Sequence, residues 1–451
     1  MIFSKYKNIY FIGIGGIGVS ALARYFLSKG FNVSGSDLFD SPIIRDLAGV
    51  GATIHIGHSV GNVKNPKNTL IIHSQAINLD NPEMKQILII GFDHMSYPEA
   101  VGELSKEFRI VAIAGAHGKS TTTAMIALIM IGAGLDPTVI VGTKLKEFNN
   151  SNFRLGKSKY LVLEADEYGG AFWNYHPFIS GITNIDREHL DFYKNFEGVK
   201  RSFRRFLANH KVGSKIIFND FDKNLSSVVS GVKSLKQFPI SNIPIKTANK
   251  IKRALKIPGK HNQLNALIAY LVAKELDISE KIILRSISKF NGVWRRMEYK
   301  GELEVLSFKS KNKVILFDDY AHHPNEIKAT LQGLKEKYPK SVLICVFQPH
   351  HTHRLKALFG DFKRAFSDAD KTILFPVYSV AGREKSRRNN RYSSESLAKH
   401  IKGSIYLENP KIGLNKAIFE AIKSHKSPVT IVMMGAGDII NYSQALLTKY
   451  K

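Results

Sequence analysis

Cysteine is nearly absent, since Cys345 is the only one among 451 residues, and no disulfide can form within the chain. So thiol-poor a chain fits a reducing compartment, and a cytoplasmic protein is expected. Cys345 lies in the apolar run Val342–Phe347 and reads as a core residue rather than a nucleophile. Long hydrophobic runs are missing too. None reaches the ~18 apolar residues of a membrane-spanning helix, so no membrane partner is expected. The apolar start, MIFSKYKNIYFIGIGG, lacks a small-residue cleavage site and ends in a glycine loop, and it reads as a first strand rather than a signal segment. Neither a short internal repeat nor a low-complexity linker is present.

Acidic residues are scarce, with 38 Asp and Glu against 65 Lys and Arg, for a net charge of +27. The lysines are scattered along the whole chain beside many Ile and Asn residues, a pattern of overall compositional bias. Their densest cluster, Arg383 to Arg391, reads as a solvated basic loop. No RNA- or DNA-binding module signature accompanies the charge, so no nucleic-acid partner is expected. Such a field would instead draw in small polyanionic substrates.

What is there is ample core material, 44% hydrophobic and 10% aromatic, on a chain long enough for roughly three domains. The expected fold class is α/β in three domains: N-terminal Rossmann-like, a central P-loop ATPase-like parallel sheet, and C-terminal Rossmann-like. The boundaries are placed at 1–107, 108–298 and 299–451. A strand over 8–12, the glycines of Gly13-Ile-Gly-Gly-Ile-Gly18, a helix to about Lys29 and a second strand delivering Asp37 form a βαβ opening. Further strands are expected near 160–164, 180–184, 215–218, 302–307, 313–317, 341–346, 371–375 and 428–433, with helices between most of them. That alternation predicts parallel sheets in all three parts.

The most informative segment is Ala114-Gly-Ala-His-Gly-Lys-Ser-Thr-Thr-Thr123, which follows the strand-like run Arg109–Ile113 and opens a helix. Strand, glycine turn, Lys-Ser and helix together make a phosphate site from backbone N–H groups and a helix N-terminus. Lys119 would neutralise phosphate charge, and the Ser120 or Thr121 hydroxyl would bind Mg²⁺. Only two residues separate Gly115 from Gly118-Lys119, where a full Walker A loop has four. Downstream, Leu161-Val-Leu-Glu-Ala-Asp-Glu167 is an apolar strand ending in carboxylates placed to hold Mg²⁺. Two glycine loops imply two phosphate-bearing ligands. A nicotinamide-dependent oxidoreductase would leave the second loop unexplained, and a nucleic-acid-binding ATPase would leave the His and Asn clusters without purpose.

In order along the chain, AGAHGKSTTT, EADE, TNIDREHLDFY, PGKHNQLNA, FNGVWRRME, DDYAHHPNEIKAT, FQPHHTHR and MGAGDI resemble the signature segments of the Mur ligases, the ATP-dependent amide-forming enzymes of peptidoglycan precursor synthesis. The resemblance implies an ATP-dependent acid–amino-acid ligase using ATP and Mg²⁺. It implies UDP-N-acetylmuramate and L-alanine as substrates, joined through an acyl phosphate. A relative that adds a tripeptide to the same sugar nucleotide during murein recycling is the alternative, and HLDFY and QPH favour alanine. The protein is expected to act as a monomer or weak homodimer.

The resemblance also implies roles. Gly15, Gly16, Ile17, Gly18, Asp37 and Ser74 would bind the UDP-sugar. Gly115, His117, Gly118, Lys119, Ser120, Thr121, Asn262, Asn265, Arg296 and Asp319 would bind ATP, the two asparagines at adenine. Ser120, His189 and either Glu164 or Glu167, of which Glu167 is preferred, would hold metal. Lys119, His189, His323 and Arg354 would be catalytic, with Arg354 pairing the incoming carboxylate and either histidine serving as the amine's base. Two departures stand out: Gly169 replaces a family acid after EADEY, and His351-Thr-His precede Arg354 where the family has a basic and an aromatic residue.

Overall fold

The computed structural model describes residues 2–63, 67–307, 310–378, 390–422 and 428–450, so Arg383 to Asn389 of the basic cluster lie outside the described residues. Three sheets account for the described strands. The first, in the order β3-β2-β1-β4-β5, is wholly parallel and is built from β1 Asn8–Ile12, β2 Asn32–Asp37, β3 Thr53–Ile56, β4 Thr69–His73 and β5 His94–Ser96. Side-chain alternation along β1 sets its two faces. Ile9 and Phe11 join one core, while Tyr10 and Ile12 join a second with Met84 and Ile87.

The second sheet runs β12-β11-β10-β6-β9-β7-β8. Its strands are β6 Arg109–Ala114, β7 Thr138–Leu145, β8 Ser151–Arg154, β9 Tyr160–Glu164, β10 Ile179–Ile182, β11 Lys215–Phe218 and β12 Lys236–Pro239. The third runs β13-β14-β18-β15-β16-β17, with β13 Glu298–Ser307, β14 Ser310–Asp319, β15 Val342–Phe347, β16 Lys371–Leu374, β17 Ser404–Tyr406 and β18 Val429–Met434. Two separate cores cover its faces, and Cys345 is fully buried in one of them.

The expectation of uniformly parallel sheets needs correction in two places. β7 and β8 pair antiparallel, as do β13 and β14. In each pair the strands follow one another in sequence with at most five residues between them, Leu145 to Ser151 and Ser307 to Ser310, too few for the crossover that parallel pairing requires. The chain groups into two compact units, residues 1–256 with 264–290, and residues 257–263 with 291–451. The first unit carries the first two sheets, whose residues share one continuous core running from Phe3 to Leu235. Part of that joint is an edge-to-face pair of Tyr25 and Phe153, with ring centroids 6.2 Å apart.

Candidate active site

The first glycine loop links β1 to the helix Ile17–Ser28. Its turn is pinned by Gly13 and Ile14 N–H groups, which donate to the Ser36 carbonyl at 2.8 and 3.0 Å. Gly15 N–H donates to Asp37 Oδ2 at 2.9 Å, so Asp37 shapes the loop directly. A Cβ on Gly15 would stand 2.9 Å from that same oxygen and 3.1 Å from Ile44 Cγ1, so a side chain there would push on the Asp37 carboxylate. Ser74 closes the far side, with its N–H on the Ile12 carbonyl at 2.9 Å and its hydroxyl accepting from Ala76 N–H at 3.2 Å.

Beneath this loop lies a polar network that the sequence did not reveal. Glu83 is fully buried and accepts from Tyr10 hydroxyl at 2.9 Å, Ser36 hydroxyl at 2.5 Å and Asn62 amide at 2.7 Å, with His58 Nδ1 at 3.0 Å. The carboxylate thereby ties the middle of β1 and the end of β2 to the segment around residues 58–62. Its only sequence signal is an acid in the first turn of the helix Pro82–Ile90, which ordinarily means a solvated cap.

The second loop is held from the side by the continuation of β10. Asn184 accepts from Ala116 N–H at 3.0 Å through its carbonyl and from His117 N–H at 2.9 Å through its side chain. The His117 carbonyl accepts from Thr183 hydroxyl at 2.6 Å and Asn184 amide at 2.9 Å, and His117 Nε2 meets Asp186 at 2.8 Å. Gly115 and Gly118 have φ of +132° and +86°. A Cβ there would sit 2.0 Å from Thr183 Oγ1 and 2.5 Å from Asn265 Oδ1, so both glycines are required and Asn265 lies against the loop. The helix Lys119–Gly132 starts without a side-chain cap, and Thr122 N–H donates to the Gly118 carbonyl at 3.0 Å. The N–H groups of Lys119, Ser120 and Thr121 thus precede the helical ladder, the arrangement an anion accepts from.

Charge converges on this helix start. Lys119 Nζ lies 2.7 Å from Glu167 Oε2 and 2.8 Å from the Gly115 carbonyl. Burial disfavours the ammonium, but the Glu167, Asp166 and Glu164 carboxylates outweigh it and raise its pKa. Glu167 is 1% exposed, and burial would raise its pKa, yet Lys119 and His189 hold it below the ordinary range. Its other oxygen, Oε1, lies 3.5 Å from His189 Nε2 and has no hydrogen-bond partner. Glu164 differs. Both of its oxygens are engaged, one by Ser120 hydroxyl at 2.9 Å and one by Gly142 N–H at 2.6 Å. His189 sits in a left-handed backbone conformation, φ +54°, with its ring against Tyr168. Gly169 and Gly170 also have positive φ, and the Gly169 carbonyl accepts from Gln75 amide at 3.3 Å, so the departure at Gly169 has a backbone cause.

The remaining expected residues belong to the second unit, except Asn265. Asn262 donates to the Pro258 carbonyl at 2.7 Å. Asp319, at the end of β14, accepts from Met297 N–H and Ala321 N–H at 2.7 Å each, and burial pushes its pKa up to about 6. His323 caps the helix Pro324–Lys337: its Nδ1 accepts from Asn325 N–H at 3.3 Å while Glu326 reaches back to the N–H groups of His322 and His323. A ring whose Nδ1 accepts carries its proton on Nε2. Arg296 pairs with Glu326 at 3.3 Å, whereas its neighbour Arg295 is buried and donates to the Gly435 and Gly437 carbonyls. Arg354 lies on the short helix Thr352–Ala357, entered through His351 at φ +65°.

Comparison with known proteins gives this arrangement a context. Three family models match in succession: "Mur ligase family, catalytic domain" over residues 8–109, "Mur ligase middle domain" over 113–273, and "Mur ligase, glutamate ligase domain" over 295–437. A UDP-N-acetylmuramate–L-alanine ligase of Clostridium acetobutylicum is 36% identical over 98% of both chains. One from Aquifex aeolicus is also 36% identical, over 99% of this chain and 98% of its own. Among solved structures, the UDP-N-acetylmuramate-alanine ligase of Thermotoga maritima has a TM-score of 0.77 at 24% identity, covering 98% of each chain. A murein peptide ligase of Psychrobacter arcticus has a TM-score of 0.71 at 24% identity with the same coverage. These two likenesses concern the fold.

Proposed function

This chain belongs to the Mur ligase family, and from that premise we propose that it is an ATP-dependent ligase joining L-alanine to the carboxylate of UDP-N-acetylmuramate in peptidoglycan precursor synthesis. The observation that carries the site's part of the reading is the meeting of Lys119 with the half-engaged carboxylate of Glu167 at an uncapped helix start. The choice of alanine is supported by relatives of that activity matching nearly the whole chain.

The three segments 1–107, 108–298 and 299–451 serve the sugar nucleotide, ATP and the amino acid respectively. ATP phosphates lie on the N–H groups at 119–121 with Lys119 beside them, and Asn262 and Asn265 serve the adenine. Asp166, Glu167 and His189 bring ligand atoms within 4.8 Å of one another, and the unbonded, buried Oε1 of Glu167 fits a divalent cation. Glu167 and His189 would hold it with the Ser120 hydroxyl. When bound, Mg²⁺ offsets the negative charge gathered where triphosphate and carboxylate meet.

A carboxylate oxygen of the sugar nucleotide attacks the γ-phosphorus of ATP, the bond to ADP breaks, and an acyl phosphate forms. The alanine amine then attacks the carbonyl carbon, and the C–O bond to phosphate breaks as the amide forms and the nitrogen gives up a proton. Lys119 and the helix N–H groups oppose the charge that develops in the first step. Arg354 orients alanine through its carboxylate, which contributes proximity. The proton passes to water or to the departing phosphate, because the ring nitrogen of His189 is committed to the cation and the Nδ1 of His323 is already an acceptor in its helix cap.

ADP release measured with UDP-N-acetylmuramate, Mg²⁺ and each amino acid in turn tests the reading. L-Alanine is expected to support turnover, and no release with alanine contradicts it.

A further inference from the structure

The helix that opens at the first glycine loop is gripped from the second sheet. β8 is the antiparallel edge strand of that sheet, and two of its four residues, Asn152 and Phe153, are buried at 3% and 8% exposure. Phe153 packs on Tyr25 of the helix Ile17–Ser28. Asn152 Nδ2 donates to the Ile17 carbonyl and to Ser20 Oγ, the latter at 2.9 Å, and Ser20 Oγ itself donates to Ile17 O at 2.9 Å. The three groups close a ring around the first turn of the helix, directly after Gly15 and Gly16. Packing alone would be served by an apolar side chain at 152. A buried amide is tolerated because its donors find these partners, and the same bonds fix where the turn sits.

The strand that presents Asn152 is tied to the ATP loop. β8 pairs with β7, and the register of that pair breaks between Ile140 and Leu145. Within the break, Gly142 N–H donates to Glu164 Oε2 at 2.6 Å, while Glu164 Oε1 accepts from Ser120 hydroxyl at 2.9 Å. One hairpin therefore reaches the phosphate-loop serine indirectly, through Gly142 and the Glu164 carboxylate, and the helix Ile17–Ser28 directly, through Asn152.

We infer that Asn152 is a positioning residue for sugar-nucleotide binding, by which the ATP-binding sheet sets the first turn of the helix Ile17–Ser28, into which Gly13 to Gly16 lead. The inference rests on the reading of that loop as the UDP-sugar site. Asn152 touches no reactant; it acts through the Ile17 carbonyl and Ser20.

The test is steady-state kinetics of the full chain with each substrate varied, beside calorimetric titration with UDP. Asn152→Asp keeps the shape and removes the donor. It is expected to raise the KM for UDP-N-acetylmuramate and the Kd for UDP about tenfold, with kcat and the KM values for ATP and alanine within about twofold. Ser20→Ala removes one partner and should show about threefold in the same two quantities. A uniform loss across kcat and all three KM values would mark a merely structural residue and overturn the inference, as would unchanged UDP affinity in folded Asn152→Asp. If that variant does not fold, unchanged UDP affinity in Ser20→Ala overturns it alone. Wild-type protein that binds UDP but does not ligate would count against the proposed reaction and leave the UDP titrations to decide the role of Asn152.

Discussion

The two glycine loops begin alike, each leaving a buried parallel strand and entering a helix, yet they are supported by opposite means. The loop at 13–18 is held by backbone bonds to Ser36, by the single carboxylate of Asp37 and by the buried Glu83 network below it. The loop at 115–118 faces Lys119, Asp166, Glu167 and the His117–Asp186 pair. A loop that only holds a diphosphate needs shape and N–H groups. A loop at which a phosphoryl group leaves needs charges that act as the transition state forms. With the proposed roles, the sugar nucleotide at the first loop and ATP at the second, one chain would carry two such loops without redundancy.

The contrast breaks most sharply at Lys119. Lys119→Ala should lower ADP release by about a thousandfold or more while the Kd for UDP, read by calorimetry, stays within about twofold. Retained turnover would place the chemistry elsewhere. Glu167→Gln keeps the shape but removes the charge beside Lys119, and turnover at fixed Mg²⁺ should fall about a hundredfold. A magnesium titration should show the requirement moved upward, and chelation by EDTA should stop the wild-type enzyme. The other loop should respond in binding rather than rate. Asp37→Ala strands the Gly15 N–H, and the expected result is about tenfold weaker UDP binding with little change in saturated turnover.

The smallest effect is expected in the third sheet. Asp318 is buried in the third sheet with one oxygen on Ser443 and the other without a hydrogen bond, and burial pushes its pKa up to about 6. A carboxyl with a raised folded pKa stabilises when protonated. That contribution is complete below the unfolded value near 4 and is lost as pH rises through about 6. Urea unfolding should show stability falling by about 1 kcal/mol across this window, a fraction of the full linkage ceiling. Asp318→Asn should flatten the part due to this residue, leaving that of Asp319.

Much of this was legible in the chain because turns and strand–helix changes are local. Gly115 and Gly118 announce a loop from sequence alone, and the structure adds why no other residue fits. The bracing of that loop was not legible. Thr183 and Asn184 lie more than sixty residues away, and their role depends on β10 running beside β6. The β7–β8 hairpin is not legible in the sequence because β8 has only four residues, two neighbours of which are buried, and the pair's register breaks, so no period-2 pattern marks it. Asn152 for the same reason carries no signal until its partners on the helix Ile17–Ser28 are known. At Arg295-Arg296 adjacency hid a division of labour: one arginine is buried on backbone carbonyls and the other pairs with Glu326. Glu164 and Glu167, three residues apart, are alike in sequence and differ in the fold, where both oxygens of Glu164 are engaged and Oε1 of Glu167 is not.

If the second loop activates a carboxylate held by the first for attack by alanine, the products show it. Mass analysis of the products is made with the protein, ATP, Mg²⁺ and UDP-N-acetylmuramate offered L-alanine together with the tripeptide of murein recycling. The alanyl adduct is expected as the dominant product, with one ADP formed per amide. A tripeptide adduct with no alanyl adduct would contradict it.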